Sequence, residues 1–263
     1  MQRYRGIRSG LVIAITIVLA ALPASGARAQ GAAAGERHAL VIGIDRYTRL
    51  GDSNQLTAAK RDATDMAALL AKKSFKIVGG GARHDPPQKL MKELWREFLG
   101  AIKPGDMALF YFSGHGFEEL GQNFLIPSDM APLPPGNRSQ VGKFLEDEAV
   151  SLGTLLADFT AMREEFKDKG KDGKKGDFFG VFIIDACRDT PASQTGGARW
   201  AGTKNPGLSP VSDPGGNFIF YAAEARQQAL DRIKRNDPNP NSVYTRFLLP
   251  LLDRTEFSLS DIA

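Results

Sequence analysis

The chain has 263 residues, of which 42% are hydrophobic and 24% are charged, and it contains a single cysteine. One cysteine excludes an internal disulfide, so an apolar core must stabilise the fold, which a single domain of this size can achieve. The first 29 residues carry four arginines and no acid, and without them the chain has 30 basic and 30 acidic residues. The pI of about 9.1 is therefore no indication of a nucleic-acid partner.

The amino-terminal segment has the order of parts found in a secretory signal peptide. Arg3, Arg5 and Arg8 precede an uncharged stretch at residues 11–22, and Ala27-Arg28-Ala29 follows it. We predict a signal peptide at residues 1–29, with cleavage before Gln30, and an exported bacterial protein that is periplasmic or secreted. The apolar stretch is short for a membrane span of about 20 residues, so no stable membrane insertion is expected after cleavage. An uncleaved anchor is the alternative.

After a short linker at residues 30–36, apolar runs alternate with helical patterns. The predicted strands are residues 39–44, 75–78, 107–112, 178–185 and 218–221, with a brief extended piece at 124–126; the predicted helices are residues 56–72, 86–100, 152–166 and 242–252. Runs that do not alternate in polarity and are separated by helices indicate an α/β fold with a mostly parallel central sheet and helices on both faces. We expect one domain at residues 37–257, and the start of a truncated C-terminal segment at residues 258–263.

Two connections stand out between these elements. Residues 167–177 are charged and interrupted by glycine, which is typical of a solvated surface loop. Residues 189–216 are polar and rich in Gly, Pro and Ser, and they follow Cys187 directly. A loop of that length beside a reactive residue is usually functional or disordered, and both interpretations fit.

Two predicted core strands lead into reactive side chains. His115 lies in Ser113-Gly114-His115-Gly116 after the strand at 107–112, and Cys187 lies in Asp185-Ala186-Cys187 after the strand at 178–185. Ligands of open parallel sheets bind beyond the carboxyl ends of the strands, so we expect both side chains in one cleft. A thiol and an imidazole there form a nucleophile and base pair. The amides of Gly116 and Cys187 are candidate donors to an oxyanion.

Each of these residues also has an ordinary interpretation. A lone cysteine is more often a small buried apolar residue than a nucleophile. A lone histidine is usually a surface residue, which we expect for His38 and His84. The joint placement of the only cysteine and one of three histidines at the ends of core strands favours catalysis.

These motifs resemble those of the caspase and metacaspase superfamily of cysteine peptidases, and the chain looks closest to its bacterial caspase-like branch. The resemblance covers residues 37–252 and includes Asp62-Ala63 and the segment 241–245. It implies the caspase-like fold, His115 as general base and acid, Cys187 as the attacking thiolate and an acyl-enzyme on protein or peptide substrates. It also implies that Asp62, Ser113 and Asp185 line a pocket for a basic side chain.

The two aspartates support a basic preference on their own grounds. Asp62 lies in the early turns of the first helix, and its neighbours at helical spacing include no cation. Asp185 precedes Cys187 by two residues, so strand alternation places both on the same side. Two carboxylates at one cleft attract Arg or Lys as the residue before the scissile bond. A solvated carboxylate on a helix face is the alternative for Asp62.

The chain also departs from the family pattern. Arg188-Asp189-Thr190 follows the cysteine where metacaspases carry His-Ser-Gly. Gln122 and Gln194 stand where calcium-requiring relatives have carboxylates, so we expect no metal site, no cofactor and little response to calcium. Glu146, Asp147 and Glu148 are interpreted as partners of a helix amino terminus.

We therefore favour an exported cysteine endopeptidase with a His115–Cys187 dyad that cleaves after Arg or Lys. The alternative is a caspase-like pseudoenzyme that acts as an interaction scaffold, because folds persist after their chemistry is lost. A nucleotide-binding domain has little support, since Gly79-Gly80-Gly81 lacks the Gly-Lys-Ser/Thr of a phosphate loop. The sequence leaves the oligomeric state open.

Overall fold

The computed structural model describes residues 35–119, 121–134, 138–187, 217–222 and 237–254. The predicted signal peptide, the loop at 189–216 and the segment at 258–263 lie outside these residues. Within the described segments, no helix has both the length and the apolar character that crossing a lipid bilayer requires.

The described residues form eight strands and five α-helices. The strands are β1 (Arg37–Gly43), β2 (Phe75–Ile77), β3 (Arg83–His84), β4 (Met107–Glu119), β5 (Gln122–Leu125), β6 (Val150–Ser151), β7 (Phe179–Cys187) and β8 (Phe218–Tyr221). The helices are α1 (Ala59–Lys72), α2 (Gln88–Ala101), α3 (Arg138–Glu148), α4 (Leu152–Asp168) and α5 (Val243–Arg254).

The sheet is mixed, with a parallel body and an antiparallel extension. β1 is parallel to β2, β3 and β4, and β7 is parallel to both β4 and β8. The far end of β4 pairs antiparallel with β5, and β5 pairs antiparallel with β6. The predicted α/β architecture is confirmed. The antiparallel extension was not predicted, because strands this short show no readable period.

Helices cover both faces of the sheet, and each face has its own apolar core. On one face, Trp95 of α2 stacks on Phe159 of α4 at 5.3 Å and meets Phe110 of β4 edge-on at 5.5 Å between ring centroids. On the other face, α1 and α5 pack on residues of β1, β4 and β7 that include Val41, Tyr111 and Ile183. The runs on β1, β4 and β7 do not alternate in polarity because both sides of these strands are buried.

Gly43, the last residue of β1, sets the distance between the sheet and α1. A Cβ at this position would lie 2.2 Å from the Ala59 carbonyl oxygen and 2.7 Å from the Ala63 Cβ. We expect Gly43→Ala to lower the free energy of unfolding by about 3 kcal/mol, because backbone rather than a flexible side chain opposes the added methyl. Urea unfolding measures the change.

Gly100→Ala in α2 is the matched control, since nothing lies within 4 Å of its added Cβ. This variant should be neutral or stabilised by up to about 1 kcal/mol, the helix-propensity gain of alanine over glycine. Equal unfolding midpoints for Gly43→Ala and the wild type would show that β1 and α1 tolerate the methyl.

Two elements, β4 and α3, differ from the sequence prediction. β4 continues to Glu119 rather than ending near residue 112, because its polar and glycine residues stay paired with neighbouring strands. α3 was missed, since few of its residues are apolar. Glu146, Asp147 and Glu148 form its last turn, so their interpretation as partners of a helix amino terminus is wrong.

One polar prediction is also corrected. His38 is only 5% exposed, and its Nε2 lies 3.4 Å from the Asp106 carboxylate, so the expected surface position is wrong for His38; His84 is exposed as predicted. The predicted surface loop at 167–177 is confirmed for residues 169–177, which are mostly exposed, while α4 extends to Asp168 and Lys171 Nζ donates to the carbonyls of Gly100 and Ile102, at 2.8 Å each. The Lys171 ammonium group thus binds carbonyl oxygens at the carboxyl end of α2, where a positive charge interacts favourably with the helix dipole.

Candidate active site

The pairing of β4 with β7 brings the two reactive residues side by side. His115 is the register partner of Cys187, and Ser113 is the partner of Asp185. Neighbouring strands lie about 4.8 Å apart, so the His115 and Cys187 backbones are immediate neighbours. The sequence placed both residues just past the strand ends; the structure corrects this, because both belong to the paired strands. Positions 113, 115, 185 and 187 share one face of the sheet.

The His115 side chain is buried and held by the connection between β1 and α1. Its Nε2 lies 2.8 Å from the Asn54 carbonyl oxygen, and its ring centroid is 4.6 Å from that of Tyr47. A carbonyl only accepts hydrogen bonds, so Nε2 carries the proton in this arrangement. Nδ1 then keeps the lone pair that a general base requires.

The glycines beside His115 serve this geometry in different ways. A Cβ on Gly114 would come within 3.0 Å of the Tyr47 hydroxyl, the group that accepts the His115 amide hydrogen at 2.7 Å. Gly116 faces Leu125 across the antiparallel pair, and the Ile126 amide donates to the His115 carbonyl at 3.0 Å. This pattern directs the Gly116 amide away from β5, toward the side of β4 on which β7 lies. A backbone amide that donates to the oxyanion must point in this way toward the strand that carries the nucleophile.

The two predicted pocket acids lie next to this pair and share a partner. Ser113 Oγ donates to Asp62 at 3.2 Å. Ser242 bridges both acids, since its amide donates to Asp62 at 2.9 Å and its hydroxyl donates to Asp185 at 2.5 Å. The Thr245 hydroxyl also donates to Asp185, at 2.7 Å. The structure therefore joins Asp62, Ser113 and Asp185 in one buried cluster.

Sequence reasoning missed the residues that support the base and the acids. Tyr47 and Asn54 contact His115, and Ser242 and Thr245 contact the acids from the amino-terminal end of α5. Ser242 directly precedes α5, which is a readable helix-start signal. Its partners, however, are 57 and 180 residues away, so no local pattern reveals them.

The cluster is strongly unfavourable for negative charge. Burial, followed by the charge of Asp185, raises the pKa of Asp62 to about 7. Burial, followed by the charges of Asp185 and Asp62, raises the pKa of Tyr111 well above its ordinary value. Among the described residues, the hydrogen bonds to Asp62 come from Ser113, Asn241 and Ser242, none of which carries a positive charge. A cation entering here would meet two buried acids.

Comparison with known proteins identifies the family. The family model for the caspase domain, of the peptidase C14 class, matches residues 36–262. The chain belongs to the caspase-domain family. This membership confirms the predicted caspase-like fold.

The individual relatives have low sequence identity to this chain. The caspase domain is 28% identical over 138 residues to human mucosa-associated lymphoid tissue lymphoma translocation protein 1, covering 51% of this chain and 16% of that protein. It is 26% identical over 230 residues to a probable protease of a Desulfuromonadales bacterium, covering 73% of this chain and 23% of the relative. The chain thus spans less than a quarter of the length of either relative. The crystal structure of the Drosophila initiator caspase Dronc is similar with a TM-score of 0.49 and 14% identity, over 86% of this chain and 68% of that one.

No metal site is evident in the described part of the caspase domain, where no three His, Cys, Asp or Glu side chains form a group able to hold an ion. Gln122 is exposed at the start of β5, and Gln194 lies outside the described residues. Independence from calcium stays a prediction.

The raised pKa of Asp62 makes stability depend on pH in a defined direction. Its pKa rises on folding from the ordinary 3.8 to about 7, so the folded state binds the proton more tightly than the unfolded state. The contribution of Asp62 to wild-type stability should therefore fall between pH 4 and pH 7, by up to about 4 kcal/mol, and level off above that. The Asp62→Asn variant lacks this titrating group. The difference in free energy of unfolding between this variant and the wild type should therefore rise by the same amount from pH 4 to pH 7.

Urea unfolding of both proteins at pH 4.5 and pH 8 measures this change, and a constant offset from the substitution cancels in the comparison. Asp65→Asn, one turn further along α1, is the control and should show no comparable rise. A difference between Asp62→Asn and the wild type that is the same at both pH values would contradict the raised pKa.

Proposed function

We propose that this caspase domain is an exported cysteine endopeptidase that cleaves after arginine or lysine. The observation that carries the proposal is the register of β4 and β7, which makes His115 and Cys187 neighbours while the Asn54 carbonyl binds Nε2 of the imidazole. A base oriented by a third group, beside a nucleophile on the next strand, is the arrangement that thiol peptidases require.

The proposed reaction proceeds by acyl transfer. Nδ1 of His115 takes the thiol proton of Cys187, and the sulfur attacks the carbonyl carbon of the scissile bond. The Gly116 and Cys187 amides donate to the oxygen that gains negative charge. As the carbon–nitrogen bond breaks, the imidazolium returns its proton to the leaving amine. Water, deprotonated by His115, then hydrolyses the thioester and releases the acid and the free thiol.

The preference for a basic residue is supported by the buried acids. Asp62, Asp185 and Ser113 occupy the same end of β4 and β7 as the dyad, and Asp62 is fully buried. A guanidinium or ammonium group would compensate both carboxylates, whereas an acidic side chain would add a third negative charge. We therefore assign these three residues to the pocket for the side chain before the scissile bond.

A pseudoenzyme that serves as an interaction scaffold is the second candidate. The match to the human protein covers only 16% of that protein and is compatible with either function. Covalent labelling distinguishes the two candidates. A peptide electrophile with arginine next to its reactive group should label Cys187 in the peptidase, and the labelling should require His115. A scaffold needs neither reactivity nor dependence on His115.

A positional-scanning peptide library tests the function directly. Wild-type protein that begins at Gln30 should cleave peptides after Arg and Lys, and Cys187→Ala should cleave none. Cleavage after Asp would overturn the assigned specificity, and equal cleavage by Cys187→Ala would overturn the nucleophile.

Export is a separate part of the proposal. It is supported by the three arginines, the uncharged stretch at 11–22 and the Ala27-Arg28-Ala29 site. Mass spectrometry of protein recovered from the expressing cells should find Gln30 as the first residue. Intact Met1 on protein from the cell envelope would favour an anchored form instead.

A further inference from the structure

Among the described residues, one connection contacts the His115 side chain at two places. Residues 45–55, which we term the base loop, lie between β1 and α1. Tyr47 places its ring 4.6 Å from the imidazole, and the Asn54 carbonyl oxygen lies 2.8 Å from Nε2. The orientation of His115 therefore depends on the internal geometry of the base loop.

A single side chain closes the base loop from within. Gln55 Oε1 accepts the Tyr47 amide hydrogen at 2.8 Å. Gln55 Nε2 lies 3.1 Å from the Tyr47 carbonyl oxygen and 3.2 Å from those of Leu50 and Gly51. The Gln55 side-chain amide thus binds both the backbone amide and the carbonyl of Tyr47. Gln55 also directly follows Asn54 in the chain. Gln55 ties the two histidine contacts together.

The ends of the base loop have other anchors. Asp85 Oδ1 accepts the amides of Asp45 and Arg46 at 2.8 and 2.9 Å. The Leu56 amide donates to the Asp45 carbonyl at 2.9 Å, and the Thr48 amide donates to the Ser128 carbonyl at 2.7 Å. Because these bonds do not involve Gln55, its loss should loosen the middle of the loop while its ends stay attached to the fold.

We propose that Gln55 is a positioning residue for His115, acting through Tyr47 and Asn54. This inference rests on the proposed role of His115 as the base. The Gln55 amide fixes the base loop so that the Asn54 carbonyl holds the proton on Nε2 and the Tyr47 ring holds the plane of the imidazole. Nδ1 is thereby kept as a proton acceptor, and the imidazole ring keeps a single orientation. In these contacts Gln55 touches neither Asp62 nor Asp185, so it should affect the chemical step and not the binding of the basic side chain.

Gln55→Leu tests the inference, because leucine fills similar space without hydrogen bonds. Gln88→Leu is the matched control: Gln88 is also half-buried and its amide donates to two carbonyls, those of Asp147 and Ala149, at 2.7 and 3.0 Å, away from His115. For Gln55→Leu we expect kcat on an arginyl peptide to fall by about 10–100-fold, as small misplacements of catalytic groups do, with KM within about twofold. Gln88→Leu should leave both constants near wild type.

A second measurement does not depend on peptidase activity. In protein labelled with ¹⁵N-histidine, the ring nitrogen shifts report the tautomer, and His38→Gln and His84→Gln variants assign the signals. Wild-type His115 should be the Nε2–H tautomer, and Gln55→Leu should show a mixture. Gln55→Asn keeps the amide on a side chain that is one methylene shorter, so it provides a second variant if Gln55→Leu fails to fold, and it should change the tautomer and kcat in the same direction.

The outcomes separate the inference from the proposed function. A folded Gln55→Leu with the wild-type tautomer and wild-type kcat would overturn the positioning role. A loss of thermal stability equal to that of Gln88→Leu, with no change in tautomer or kcat, would overturn it too. If the wild type cleaves no peptide, the proposed function fails, and the tautomer measurement still decides whether Gln55 positions His115.

Discussion

Replacing His115 with alanine is expected to lower kcat/KM on a basic peptide by about 10⁴-fold, and Cys187→Ala should abolish turnover. Thiolate attack needs both a proton acceptor and a nucleophile, so loss of either one removes most of the rate gained by the pair. The double variant should be no worse than the worse single variant, because residues that act as a unit fail together. Steady-state kinetics of the purified proteins measure these effects.

The fold should survive both substitutions. His115 is buried, so its truncation removes the contact with the Tyr47 ring and the bond to the Asn54 carbonyl, and a moderate loss of stability is expected. His84→Ala is the control, because the His84 side chain is exposed on β3, and this variant should keep full activity. Activity of His115→Ala within tenfold of the wild type would exclude the dyad.

Removing the two buried charges should have the second largest effect. In the double variant Asp62→Ala, Asp185→Asn, we expect kcat/KM for an arginyl peptide to fall by about 10³-fold. The arginine side chain then loses its charge-assisted hydrogen bonds to the two carboxylates. The same peptide with citrulline in place of arginine should be cleaved no worse than before. The ratio of the two constants measures the change in specificity.

Asp65→Asn is again the matched control, because Asp65 lies on the next turn of α1 and pairs with Arg61, and it shares only the Asn241 amide with the cluster. Its arginine-to-citrulline ratio should stay at the wild-type value. An unchanged ratio in a double variant that still turns over would show that the basic preference, if present, comes from other residues.

The sequence predicted the parts of this fold that depend on buried apolar runs. β1, β4 and β7 were recognised because both faces of these strands are covered, which leaves uninterrupted apolar residues such as 107–112 and 181–184. The same logic predicted that His115 and Cys187 open into one cleft, since both follow such runs. Asp62 followed from its place early in α1, together with the family resemblance.

The missed features depend on contacts between distant residues. His38 is polar but lies on a central strand next to Asp106, which is 68 positions away in the sequence, so a surface position was the natural expectation. α3 has too few apolar residues to show a helical face. Gln55 looks like any polar loop residue, and only the folded loop reveals that its amide binds Tyr47, Leu50 and Gly51.

If Asp62 binds the basic side chain as proposed, its burial also links substrate binding to the hydrogen-ion concentration. At pH values below about 7 the unliganded domain holds a proton on Asp62, and an arginine side chain that binds this carboxylate must release that proton. Apparent affinity for a basic substrate should therefore improve as the pH rises toward 7, by up to about tenfold per unit, and then become constant. Such a domain would exchange a proton for a cation, and an acidified environment would weaken its hold on basic substrates before it unfolded the protein.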